Sequence, residues 1–165
     1  MPDEEFYIID ANVLIDYCES DLSVLKALSL KIGKVHVAFT TLKKVAELDE
    51  EACEEYEFTL ITPTEEHVYQ AAQDNLSVAF DDYICYLIAK NCGYILVTND
   101  KKLRKICETD DVQVLWGLEI MLLLNQNGYL SVEEAVSIAE AIHLSNSAHI
   151  SKSIIKEFKR KLQHG

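Results

Sequence analysis

Short apolar runs alternate with amphipathic stretches along the first two thirds of the chain. Phe6 to Ile9 is an apolar, β-prone run that stops abruptly at Asp10, and Ala11 to Tyr17 follows it with helical character. Asp21 can cap a second helix reaching about Leu30, with Gly33 suited to its termination. Val35 to Phe39 reads as a second strand. Thr40 or Thr41 then caps a helix whose apolar positions Leu42, Val45, Ala46 and Leu48 keep helical spacing, and Glu47 lies beside that apolar face. Tyr56 to Ile61 is a short extended segment, and Thr64 with Glu65 and Glu66 signals entry to a helix running to about Asp74. Asn75 to Phe80 reads as a loop. Asp81 or Asp82 starts the next helix, with Ile84, Leu87, Ile88 and Asn91 in register and Gly93 at its C′ position. Tyr94 to Val97 is the clearest buried strand, and Thr98-Asn99-Asp100 ends it as Asp10 ends the first. Lys101 to Cys107 is a short helix and Val112 to Leu115 a last strand. This alternation predicts an α/β fold: a mainly parallel sheet flanked by helices on both faces, with right-handed crossovers.

After Trp116 the pattern changes to helices alone, about 117–125, 132–143 and 151–163. Asn127-Gly128 breaks the first, and Ser131 with Glu134 forms a capping box for the second. Ile150, Ile154, Ile155, Phe158 and Leu162 make one apolar stripe on the last. Lys152, Lys156, Lys159, Arg160 and Lys161 make its basic face. The expected organisation is an α/β domain over 1–125 with a helical hairpin over 126–165 packed on it.

Composition narrows the classes. At 165 residues and 49% hydrophobic the chain can build an ordinary core, and no apolar run reaches the length of a membrane span. The first five residues carry no signal-peptide pattern, and five scattered cysteines without a CxxC pair suit free thiols, so a cytoplasmic location is expected. No histidine pair has zinc-binding spacing. The net charge is −13, and its distribution matters more than its size. Between Val45 and Ala89 there are twelve acids and no Lys or Arg. Such a chain meets nucleic acid only where cations, its own or bound metal ions, reverse the local sign. Asp49, Glu50, Glu51, Glu54 and Glu55 read as solvated surface.

Four acids share an expected location. Parallel strands bring their carboxyl ends to one edge of a sheet, where ligands bind. Asp10 ends the first strand, Asp100 follows the strand at 94–97, Asp82 or Asp81 begins the helix before that strand, and Glu47 lies on the helix after the second strand. Asp10 alone would read as a helix cap. Carboxylates gathered in one cleft repel, and an all-oxygen donor set suits Mg²⁺ or Mn²⁺, which serve phosphoryl transfer. Haloacid-dehalogenase chemistry needs a second Asp where Asn12 stands. A receiver-type domain needs a central Asp after its third strand.

Ile8-Ile9-Asp10-Ala11-Asn12-Val13-Leu14-Ile15, Thr41 to Leu48 with Glu47, Leu76-Ser77 followed by Asp82 to Ala89, and Leu96-Val97-Thr98-Asn99-Asp100 together resemble, in order, the motifs of PIN-domain nucleases, most closely VapC-type toxins. In the third motif the acid usually follows the Leu-Ser sooner. Asp81 and Asp82 therefore compete, with Asp82 in better register with Leu87 and Ala89. The resemblance implies a metal-dependent endoribonuclease, with Asp10, Glu47, Asp82 and Asp100 holding Mg²⁺ or Mn²⁺. Asn12 and Thr98 would be supporting residues, and Lys43, Lys44, Lys101, Lys102 and Arg104 would meet the phosphates of an RNA substrate. It also implies an antitoxin protein as partner and a homodimer. The alternative within the same fold is a non-catalytic module that binds RNA or protein.

Overall fold

The computed structural model describes residues 4–74 and 77–164. Five strands, β1 (Tyr7–Ile9), β2 (Val35–Ala38), β3 (Phe58–Ile61), β4 (Ile95–Val97) and β5 (Val114–Leu115), form one sheet in the order β3-β2-β1-β4-β5, and every pairing is parallel. The α/β architecture expected from the strand–helix alternation is the one observed. Both faces of the sheet are covered, so its central strands read as continuous apolar runs. Successive side chains still part to opposite sides. Tyr7, Ile9, Val35, Val37, Ile95 and Val97 enter the larger core, while Ile8, Ala38 and Leu96 enter the other.

The larger core is closed by α1 (Ala11–Cys18), α2 (Ser23–Lys31), α8 (Glu119–Gln126), α9 (Val132–Ser145) and α10 (Lys152–His164). The smaller lies under α6 (Phe80–Cys92) and α7 (Lys101–Thr109), with Ala71 of α5 (Glu65–Gln73) beside them. Asp82 through Ala89 are all buried, because α6 is enclosed by the sheet, α3 (Phe39–Leu42), α5 and α7. The C-terminal helices share the larger core with the sheet. Ala135, Ile138, Ala139 and Ile142 of α9 and Ile155, Phe158 and Leu162 of α10 are buried in it. Asn146 donates from its amide nitrogen to the buried Asp16 of α1 at 2.9 Å, and this pins the α9–α10 turn to the first helix. Among the described residues no helix is long and apolar enough to cross a membrane.

Several local expectations change. The helix expected over 41–48 stops at Leu42. Beyond it Lys44, Val45 and Leu48 donate to carbonyls three residues back, so Leu42, Val45 and Leu48 are spaced for tight turns rather than an α-helix. Neither Thr40 nor Thr41 caps α3. Thr41 is buried with its hydroxyl 3.2 Å from the Cys85 sulfur. Asp49, Glu50, Glu51, Glu54 and Glu55 are exposed, as expected for surface acids, and they also build structure: the four glutamates lie in α4 (Glu50–Glu55), whose N-cap Asp49 accepts from the Ala52 amide at 2.8 Å. Phe80 opens α6 rather than closing a loop, and α6 has no side-chain cap, so Asp81 and Asp82 stand in its first turn. Asn75 and Leu76, part of the expected loop and third motif, lie outside the described residues. Ile154, assigned to the buried stripe of α10, is 42% exposed.

Two glycines are held for different reasons. Gly33 is buried, and a Cβ there would collide with the backbone carbonyl of Glu5. Gly93 ends α6 at φ 74° with open space around it. Gly33→Ala is therefore expected to cost about 2 kcal/mol or more through a forced backbone shift. Gly93→Ala should cost only about 1 kcal/mol, for the left-handed backbone. Urea denaturation of both variants checks the order, and a neutral Gly33→Ala would contradict the packing described.

Candidate functional site

The strand order turns outward in both directions from the β1–β4 pair, so the crevice beyond their carboxyl ends is the topological switch point of the sheet. The register sets Ile9 against Val97, and the Asp10 amide donates to the Val97 carbonyl at 3.2 Å. Asp10 and Thr98 thus lie side by side where the two strands end.

Asp10 is 1% exposed and is the N-cap of α1, with one carboxylate oxygen accepting from the Val13 amide at 2.9 Å. Its other oxygen accepts from the hydroxyl of Thr98, which is itself fully buried. The same hydroxyl oxygen accepts from the Asp100 amide at 3.1 Å. Asp100 caps α7 by accepting from the amides of Lys102 and Leu103 at 2.9 and 3.1 Å through one oxygen. Thr98 therefore ties the end of β1 to the start of α7. Asp82 is buried and, among the described residues, its carboxylate accepts no hydrogen bond. Asp81, one position earlier, lies 3.5 Å from the ammonium of Lys44.

Electrostatics joins three of these acids. Burial, with the charges of Asp100 and Asp81 behind it, pushes Asp82 up to about 6 against the pull of Lys44. Burial and the charge of Asp82, with Asp100 further back, push Asp10 up to about 7, even though the Thr98 and Val13 hydrogen bonds favour its charged form. The charge of Asp82 thus opposes ionisation of Asp10. Asp10, Asp82 and Asp100 are thus brought into one another's fields.

The other sequence candidates fall elsewhere. Glu47 is exposed in the turn after α3, and its charge bears on Cys18 rather than on the aspartates. Asn12 is exposed in the first turn of α1, and Lys43, Lys44, Lys101 and Lys102 are exposed. Arg104 is half-buried. Its guanidinium stacks 3.7 Å from the ring centroid of Trp116 and donates to the Thr98 carbonyl at 3.5 Å. Sequence reasoning passed over Asn99, whose side-chain oxygen accepts from the Gly117 amide at 2.9 Å while the Gly117 carbonyl accepts from Tyr17 at 2.6 Å. The Asn99 signal was present in its place between Thr98 and Asp100, but its partner lies 18 residues away.

The donors of the trio are carboxylate oxygens, the hard ligands that Mg²⁺ and Mn²⁺ prefer. Among the described residues no three acids, histidines or cysteines lie close enough to cage an ion unaided. Mg²⁺ commonly keeps several waters and takes only one or two carboxylates.

No family model matches the chain, and no curated protein matches it. Among solved structures the chain is similar to a PilT N-terminus domain protein from the hyperthermophilic archaeon Sulfolobus solfataricus P2. The TM-score is 0.54 at 10% identity, and the match covers 71% of this chain and 91% of that one. At that identity the likeness establishes a PIN-like fold and leaves the chemistry to the residues.

The raised carboxyls have a direct consequence for stability. A carboxyl raised in the folded state favours folding below its unfolded value, and that contribution is lost as pH climbs through the folded value. For Asp82 and Asp10 the loss falls around pH 6 and 7. In EDTA, Asp10→Asn is expected to gain stability over wild type as the pH rises from about 5 to about 8, by on the order of 1–3 kcal/mol at the upper end. Thermal melts of both proteins across that range measure it. A constant difference would mean that Asp10 carries no strained charge.

Proposed function

We propose that the protein is a metal-dependent endoribonuclease that hydrolyses RNA phosphodiester bonds, with one or two carboxylates drawn from Asp10, Asp82 and Asp100 holding a largely hydrated Mg²⁺ or Mn²⁺. The observation that carries this reading is the state of Asp82: a largely buried residue whose carboxylate takes no hydrogen bond from the described residues, in the fields of other acids at the switch point of a parallel sheet. A divalent ion there would supply Lewis-acid chemistry, acidifying a water and offsetting charge on the phosphoryl group. The chain's own residues do the rest. Thr98 fixes the Asp10 carboxylate and the start of α7. Lys44 offsets the charge of Asp81 at the rim. Lys43, Lys101 and Lys102 offer exposed ammonium groups for substrate phosphates. In this reading Asp81 and Asn12 support the site, and Arg104 reaches substrate only through the aromatic ring it covers.

The finer assignment, a toxin with an antitoxin protein partner and a homodimeric active form, rests on the motif resemblance alone, and a cytoplasmic location on the free cysteines and the N-terminal sequence. Light scattering is expected to give twice the 18.7 kDa chain mass, and a monomer at micromolar concentration would remove the dimer from the proposal.

One observation favours a second reading, a non-catalytic PIN-like module that binds RNA or protein. Glu47, the fourth acid of the motif set, stands apart, and the described residues hold no ready-made cage. A mixed labelled RNA pool incubated with wild type and with Asp10→Asn, in Mn²⁺, Mg²⁺ or EDTA, separates the two. The nuclease reading expects metal-dependent cutting that falls at least about a hundred-fold in the variant. Cutting that survives EDTA or the substitution contradicts it. RNA retained but uncut by wild type in every metal would favour the binding module.

A further inference from the structure

A cavity of about 390 Å³ opens between α8, α10 and the loops that follow β4 and β5. That is within the range of pockets that enclose small organic groups. Its floor is apolar, made by Leu118, Leu122, Ile150 and Phe158, and Trp116 lines it. Asn99 and Lys101, the residues on either side of Asp100, line it, and so does Lys161 of α10. Neither lysine makes a salt bridge among the described residues. The acids at the rim are already occupied: Glu119 accepts from the Trp116 amide, and Glu157 is paired with Arg160.

We infer that this cavity receives an unpaired base of an RNA strand lying across the aspartate edge, so that α10 is part of the substrate site. A nucleobase has two apolar faces and a polar edge, and it carries a phosphate on each side. The cavity offers an apolar floor, an indole and an amide, with unpaired ammonium groups at two corners. Arg104, stacked on Trp116 and bonded to the Thr98 carbonyl, braces the indole against the chain just after β4, two residues before Asp100. The exposed Ile154 completes the outer lip, which accounts for an apolar side chain left in solvent on an otherwise buried stripe. An unpaired base implies a single-stranded or looped substrate, since a paired base could not leave its stack without cost.

The inference rests on RNA being the ligand, as in the nuclease reading, but its test needs no cleavage. Trp116 is the only tryptophan in the chain, so its fluorescence reports on the cavity alone. The full-length protein in EDTA is titrated with a fluorescein-labelled single-stranded oligoribonucleotide, the matching duplex and nucleoside monophosphates. Trp116 emission and label anisotropy are read together. The expected result is saturable quenching by the single strand with a midpoint matching the anisotropy. Binding should weaken about ten-fold in Ser153→Phe, which fills the cavity from α10, and similarly in Lys161→Ala, while circular dichroism stays unchanged. Binding without a change in Trp116 emission, equal midpoints in both variants, or equal affinity for duplex or monophosphates would overturn the inference. None of these outcomes touches the nuclease reading, which stands or falls on metal-dependent cutting by the same preparation. Absence of any RNA binding would overturn the inference, and absence of cutting as well would remove the nuclease reading with it.

Discussion

The hydroxyl of Thr98 makes the contact on which the candidate site depends. It donates to Asp10 at the end of one central strand and accepts from the amide of Asp100 beyond the other. That contact is possible only because β1 and β4 run parallel and in register, with Ile9 beside Val97. A slip of one residue would turn Thr98 to the opposite face and part the two acids. The same pairing creates the problem it holds together. It gathers carboxylates where water is scarce, and their protons are retained well above the usual carboxylate range. Two apolar cores, one on each face of the sheet, supply the stability against which this local cost is held.

The cost is unevenly spread. Asp10 has two donors and Asp100 has two backbone amides on one oxygen, so each is a helix cap as well as a candidate ligand. Asp82 has neither a cap role nor a donor. It stands in the first turn of α6, where the helix terminus favours negative charge but burial opposes it. A purely structural acid at that position would be expected to find a partner, as Asp16 does in Asn146 and as Asp81 does in Lys44. The contrast between Asp81 and Asp82, adjacent on one helix, is why the chemistry is assigned to the second.

Signals confined to a few residues carried well from sequence to structure. Thr64 and Ser131 cap their helices through the amides three residues on, and Gly93 takes the left-handed turn after α6. The strands and their order of alternation were legible because buried parallel strands leave continuous apolar runs. What failed depended on partners distant in the chain. Leu42, Val45 and Leu48 fit a helix on paper, but Thr41 is drawn in against Cys85 and the chain tightens after it, which carries Glu47 outward. Asp49 was a cap signal hidden in a run of acids. Asn99 and Trp116 meet their partners, Gly117 and Arg104, only in the fold. The three candidate aspartates could be named from the sequence. That they share a field, and that Glu47 does not, could not.

The central claim is that these aspartates await a divalent cation. Calorimetric titration of Mn²⁺ at about pH 6.5, repeated in two buffers of different ionisation enthalpy, tests it most directly. The account predicts saturable heat in wild type, with net proton release as Asp10 and Asp82 give up protons held by burial and repulsion, and loss of both signals when Asp10 and Asp82 are changed to Asn. Folded wild-type protein that takes up no Mn²⁺, or binds it equally well without those two carboxylates, would contradict it.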